Sequence, residues 1–181
     1  MNDNSNKIIL DLCGGTGSWS KPYKDAGYTV FLVDLPKDAR LIEYDDSMVV
    51  HGILAAPPCT VFSYARQRYG MPTTEEIINA LSVADACLRA VFIYKPKWWA
   101  LENPRNKLMR YYGQPRMIFK QWWYGDGQDK PTCLYGDFNL PRYDVGERTK
   151  PSTFKTSTQN THKTDAITPP GFAKAFFLAN Q

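Results

Sequence analysis

The sequence predicts an α/β fold: a mostly parallel sheet with helices between its strands and an antiparallel hairpin toward the C-terminal end. Three observations carry this. Short apolar runs alternate with a helical signal through the first hundred residues, the pattern of β-α-β units. The longest of the helical signals shows apolar residues at helical spacing. Two further β-prone runs flank Gly125-Asp126-Gly127, a turn sequence.

The elements follow in order. Lys7–Leu12 is an apolar run stopped by Gly14-Gly15, and reads as a buried strand. Ser18–Asp25 reads as a helix closed by Gly27. Tyr28–Val33 and Val49–Ala55 are strands ended by Asp34-Leu35-Pro36 and Pro57-Pro58. Thr73 and Glu76 form a capping box ahead of a helix whose Ile77, Leu81, Ala84, Leu88 and Val91 share one face. Trp98–Leu101 is a short strand closed by Glu102-Asn103-Pro104. Met117–Tyr124 and Thr132–Tyr135 are the hairpin, and Pro169-Pro170 opens a final helix bearing Phe172, Ala173, Phe176 and Phe177. Between them, Arg148–Lys163 is polar and basic with no acid, and reads as a loop.

Composition bounds the rest. The 181 residues suit a single domain, 1–181, and 43% apolar residues supply one core. No apolar run near the ~20 residues of a membrane span is expected, and Met1–Lys7 is polar with no apolar segment after it, so the reading is a cytoplasmic protein without a membrane or secretory segment. Four cysteines lack any C-x-x-C spacing, which argues against a metal site or a disulfide framework. An excess of 22 basic over 18 acidic residues permits a nucleic-acid partner without requiring one.

Three loops carry candidate chemistry, each at a predicted strand end, where open sheets place ligands. The first, Asp11-Leu12-Cys13-Gly14-Gly15-Thr16-Gly17, has glycines that let a nucleotide-like cofactor approach the backbone. It lacks G-x-G-x-x-G spacing, which disfavours a nicotinamide cofactor. Asp34, at the end of the next strand, is placed to accept hydrogen bonds from ribose hydroxyls. In the second, Pro57 and Pro58 stiffen the approach to Cys59, and Ser63, Arg66 and Arg68 follow. A partly exposed thiol near those cations would have a lowered pKa and act as a nucleophile. Cys13, Cys87 and Cys133 read as small buried apolar residues. In the third, Glu102 follows the apolar Trp98–Leu101 run, and desolvation there would favour a protonated general acid.

Together these residues resemble the S-adenosylmethionine-dependent DNA cytosine-5 methyltransferases, in the small form encoded by phages and mobile elements. Asp11–Gly17 looks like their cofactor loop. Pro57-Pro58-Cys59-Thr60-Val61-Phe62-Ser63 resembles the Pro-Cys-Gln-x-Phe-Ser nucleophile loop, and Glu102-Asn103 the Glu-Asn-Val motif. Thr168-Pro169-Pro170-Gly171-Phe172-Ala173 is similar to the helix entry that completes the cofactor pocket. The resemblance implies a Rossmann-like methyltransferase fold and S-adenosyl-L-methionine held by Asp11, Cys13, Gly14, Gly15, Thr16, Gly17, Asp34 and Pro57. It implies methylation of cytosine carbon 5 in DNA, with Cys59 attacking carbon 6 and Glu102 protonating or hydrogen-bonding ring nitrogen 3. Ser63, Arg66, Arg68, Lys130, Lys150 and Lys155 would meet the substrate.

The sequence departs from the family at several points. Thr60 replaces Gln, Cys13 replaces an aromatic, and Gln121-Trp122-Trp123-Tyr124 stands where Gln-x-Arg-x-Arg is usual. Only Arg148–Lys163 occupies the place of a target-recognition domain, which leaves target reading to a short context or a partner protein. The alternatives are a catalytically silent binder of DNA or protein that counters restriction, and the same chemistry on RNA or a free nucleotide.

Overall fold

The computed structural model describes residues 3–64, 66, 70–125, 130–143 and 167–181. Among these, six strands form one sheet: β1 Ile8–Leu12, β2 Thr29–Val33, β3 Val50–Ala55, β4 Trp98–Pro104, β5 Met117–Lys120 and β6 Pro131–Asp137, in the order β2-β1-β3-β4-β6-β5. The pairs β2-β1, β1-β3 and β3-β4 are parallel, and β6 runs antiparallel to both β4 and β5. This is the expected α/β class, with its C-terminal antiparallel part. The chain leaves β1 toward one edge, at β2, and returns to β1's other side at β3. That reversal makes a crevice outside the carboxyl ends of β1 and β3.

Helices α1 (Lys21–Asp25), α2 (Thr74–Tyr94), α3 (Met109–Tyr112) and α4 (Pro170–Ala179) complete the described fold. Strand alternation divides β1 between two cores. Ile9 belongs to a cluster of aromatic residues from α1, α4 and the sheet, including Trp19, Tyr23, Trp98, Phe119, Phe172 and Phe176. Leu10 and Leu12 belong to the other, with Ile53, Leu101 and, from α2, Cys87 and Ala90. Gly52 leaves room for the indole of Trp98, which stacks on Tyr23 at 5.4 Å; a Cβ at position 52 would come within 2.2 Å of that ring.

The capping box forms as read: the Glu76 amide donates to Thr73 Oγ1 at 3.1 Å and the Thr73 amide to Glu76 Oε2 at 2.7 Å. Three expectations change. The first helix starts at Lys21, not Ser18, because Ser20 spends its hydroxyl on Asp11 and a proline occupies the first turn. β4 runs to Pro104 instead of stopping at Leu101, because β6 pairs Glu102 with Leu134 and Pro104 with Thr132. Gln121–Tyr124 is a 3-10 turn after β5, not strand. The composition also needs a correction: α2, 21 residues, is long and apolar enough to cross a membrane by length and composition alone. Here it lays Ala84, Cys87 and Ala90 against the fold and leaves Ile78 and Phe92 exposed.

Phe176 has no exposed surface and meets Trp19, Trp98, Phe138 and Phe172. Phe176→Ala should cost about 3–5 kcal/mol in urea denaturation, through lost burial and a cavity. A loss under 1 kcal/mol would show that α4 does not hold the aromatic core together.

Candidate active site

Register places the loops side by side. Leu12 pairs with Val33 and Ala55, and Ala55 with Leu101. Cys13, Asp34 and Ala56 therefore emerge at one edge of the sheet, level with Glu102, which lies within β4 just past its pairing with β3. Two hydrogen bonds carry the pairing past the strand ends, from the Cys13 amide to the Val33 carbonyl at 2.7 Å and from the Ala56 amide to the Leu12 carbonyl at 2.9 Å. All four of these residues line a cavity of about 300 Å³, at the lower end of the range for small-molecule sites.

One half of the cavity is the loop after β1. Asp11 is wholly buried, and Ser20 Oγ donates to its Oδ2 at 2.5 Å. Its Oδ1 has no partner among the described residues. Burial pushes the Asp11 carboxyl up to about 6, and the Asp34 charge adds to that. Gly14 packs directly over this carboxylate; a Cβ there would lie 2.3 Å from Oδ1. Cys13 takes the left-handed conformation, φ 55°, and borders the cavity, so it is not the buried apolar residue expected. Asp34 accepts the Leu35 amide at 2.8 Å. The lead into α4 closes this half: Ser18 Oγ donates to the Thr168 carbonyl at 2.8 Å, and Thr168, Pro169 and Phe172 line the wall.

The other half holds Pro57, Cys59, Glu102 and Lys130. Cys59 opens a 3-10 turn, Thr60–Phe62, and is half-buried. Burial and the Glu102 charge push its thiol up; Lys130 opposes them. This corrects the expectation of a thiol lowered by Arg66. That guanidinium is turned to Glu76, at 3.2 Å, and to the Gly70 carbonyl, at 3.0 Å. Glu102 is likewise raised by desolvation, again against Lys130, as the apolar strand beneath it led one to expect.

A buried amide chain fixes these groups relative to one another. Asn103 Nδ2 donates to the Pro57 carbonyl at 3.1 Å, and Asn106 Nδ2 to Asn103 Oδ1 at 2.5 Å. Asn106 Oδ1 in turn accepts the Leu108 amide at 2.8 Å. The Cys59 loop is thus tied to the strand that carries Glu102. Asn106 was not legible as a site residue, since nothing in its local pattern distinguishes it from a turn asparagine. Trp19, Phe119, Gln121 and Thr132 also line the cavity; the last three reach it only through the β4-β6-β5 pairing.

Other expected site residues lie elsewhere. Thr16 and Gly17 border a separate groove with Lys21 and Leu32. Neither Ser63 nor Arg66 lines the cavity. Arg68, Lys150 and Lys155 lie outside the described residues, as does all of the basic loop. Among the described residues there is no cluster of three or more side chains able to hold a metal.

No family model matches the chain, and no curated protein matches it. Among solved structures, one that is similar is a candidate DNA modification methyltransferase encoded within an E. coli prophage, 16% identical, with a TM-score of 0.46, covering 72% of this chain and 46% of that one. The chain therefore spans about half the length of that protein.

Asp11 supplies a prediction. Its proton is held to about pH 6 in the folded state, against an ordinary value of 3.8. Between those values the folded state binds more protons than the unfolded one, so stability falls as pH rises from 4 toward 6 and then levels. Asp11→Asn should remove this fall, worth roughly 2 kcal/mol between pH 4 and pH 7. Urea midpoints across that range check it; a constant gap between variant and wild type at every pH would contradict it.

Proposed function

We propose that the chain is a small S-adenosylmethionine-dependent methyltransferase that transfers a methyl group to carbon 5 of cytosine in DNA. The observation that carries this is the convergence of Cys59, Glu102 and Lys130 on one cavity with the Gly14-Gly15 loop and Asp34.

The cofactor half suits such a ligand. Asp11 Oδ1 is a buried acceptor with no partner among the described residues, and it borders the cavity. S-adenosylmethionine offers an ammonium and ribose hydroxyls as donors. Asp11 and the glycine loop would hold the former end and Asp34 the ribose, while Trp19 and Phe172 give an apolar wall. A cationic ligand beside Asp11 would favour its ionised form. When bound, the cofactor supplies an electrophilic methyl group.

The protein's own part begins with the thiol. Cys59 rests protonated, because burial and Glu102 disfavour the thiolate. Its proton passes to water, and Lys130 provides the opposing charge that stabilises the thiolate. The thiolate adds to cytosine carbon 6, and Glu102, whose carboxyl burial pushes upward, donates its proton to ring nitrogen 3 and offsets the negative charge that develops there. Carbon 5 becomes the nucleophile of the resulting enamine. Transfer of the methyl group would leave S-adenosylhomocysteine; water then takes the carbon 5 proton, the sulfur–carbon bond breaks with its electron pair on sulfur, ring nitrogen 3 returns its proton to Glu102, and the thiolate regains a proton from water. The target base must leave a duplex to enter so enclosed a site. The Asn103–Pro57 bond ties the loop that carries Cys59 to the strand that carries Glu102.

Incubation of the protein with DNA and S-adenosylmethionine should yield 5-methylcytosine, read by mass spectrometry of the digested nucleosides. Glu102→Gln should keep cofactor affinity and lose at least about a hundredfold in rate. Absence of S-adenosylmethionine and S-adenosylhomocysteine binding by calorimetry would defeat the proposal, and full activity in Glu102→Gln would remove that residue from the mechanism.

A further inference from the structure

The segment after Glu102 carries a feature that the cavity does not use. Between Asn103 and Arg116 there are four cations and no acid. Its buried residues point inward: Asn106 is 3% exposed and Leu108 1%. Arg105 and Arg110 are exposed and Lys107 is half-buried. The backbone is pinned between the two walls of the site. The Arg105 amide donates to the Pro131 carbonyl at 2.9 Å, next to Lys130, and the Lys107 amide donates to the Phe62 carbonyl at 3.2 Å, in the turn that follows Cys59. Pro104, immediately before, lines the cavity.

The other arginines nearby in the fold are engaged. Arg40 and Arg66 pair with Asp38 and Glu76, Arg89 bonds Tyr44 and the Arg40 carbonyl, and Arg116 pairs with Asp137 and lies over Phe138. Arg105, Lys107 and Arg110 have no carboxylate partner among the described residues. Asp85, the acid facing α3, is met instead by the hydroxyls of Tyr111 and Tyr112 at 3.3 and 3.5 Å. Three cations with no carboxylate partner among the described residues, on a segment that follows the cavity-lining Pro104 and is tied by backbone hydrogen bonds to both walls of the site, suit a polyanionic backbone, and guanidinium groups suit phosphate oxygens in particular.

We propose that Arg105, Lys107 and Arg110 form a platform for the phosphates of the DNA strand whose base enters the Cys59 cavity. This rests on the reading of the cavity as a site for DNA. It moves part of the substrate contact from the basic loop and the Arg66 region to the segment that directly follows Glu102. Contacts of this kind position the strand and set salt dependence, with little sequence information.

The test is the salt dependence of duplex DNA binding, by fluorescence anisotropy, for the wild type and two triple variants. Arg105→Gln with Lys107→Gln and Arg110→Gln should lower the slope of log K against log salt by about 0.9 per lost contact, up to about 2.7, and weaken binding. Lys24→Gln with Lys95→Gln and Lys97→Gln removes the same charge away from the site and should leave the slope near wild type. Both triple variants should bind S-adenosylmethionine as the wild type does, which shows that the fold is kept. An unchanged slope in the platform variant, an equal drop in the control variant, or no DNA binding by the wild type would overturn the proposal. A lowered slope without any 5-methylcytosine would uphold the platform and defeat the methyltransferase reading; normal methylation with an unchanged slope would do the reverse.

Discussion

The parallel register of β1, β3 and β4 is the constraint on which the site depends. Because Leu12, Ala55 and Leu101 lie side by side, the residues after them must emerge at one edge. Three loops far apart in sequence are thereby brought to one cavity, and a slip of one residue in either pairing would turn Asp11 or Glu102 to the wrong face of the sheet. The reversal of chain direction around β1 leaves the crevice open there. The aromatic core beneath, with α4 laid against it, holds the strands and supplies the cavity's apolar wall.

Electrostatics within the cavity set two demands against each other. Burial pushes the Glu102 carboxyl upward, toward the form able to donate, but the same burial disfavours the Cys59 thiolate. Lys130 opposes both shifts. One cation thus makes the sulfur easier to ionise and the acid easier to lose. The amide chain from Asn106 through Asn103 to Pro57 answers the geometric side of the problem, since it fixes the nucleophile loop without placing another charge near the sulfur.

Much of this was legible in the sequence where the signal is local. The apolar runs of β1 to β3, the Thr73–Glu76 box and the glycine loop each announce themselves within a few residues. Asp34 and the Pro57–Cys59 loop follow the ends of β2 and β3 as those runs predict, whereas Glu102 lies within β4. The contribution of β5 and β6 was less legible. A pairing between residues some thirty positions apart extends β4 through Pro104, and no local propensity reports it. That pairing is also what brings Phe119, Gln121 and Thr132 to the cavity. The thiol's environment was misjudged because proximity in sequence was read as proximity in space: Arg66 is seven residues from Cys59 but faces Glu76, while Lys130, seventy-one residues away, shares its cavity. Asn106 carried no pattern that distinguishes it from an ordinary turn residue.

The central claim is that Cys59 is the atom-bonding nucleophile toward cytosine carbon 6. The most direct measurement is covalent trapping on a duplex containing 5-fluorocytosine in the presence of S-adenosylmethionine, followed by mass spectrometry of the cross-linked peptide. Fluorine cannot leave carbon 5 as a proton does, so the adduct persists. The account predicts a stable protein–DNA species with the bond at Cys59, absent in Cys59→Ala, while cofactor binding is kept. A bond at Cys13 or at any other residue, or an adduct that survives in Cys59→Ala, would contradict it.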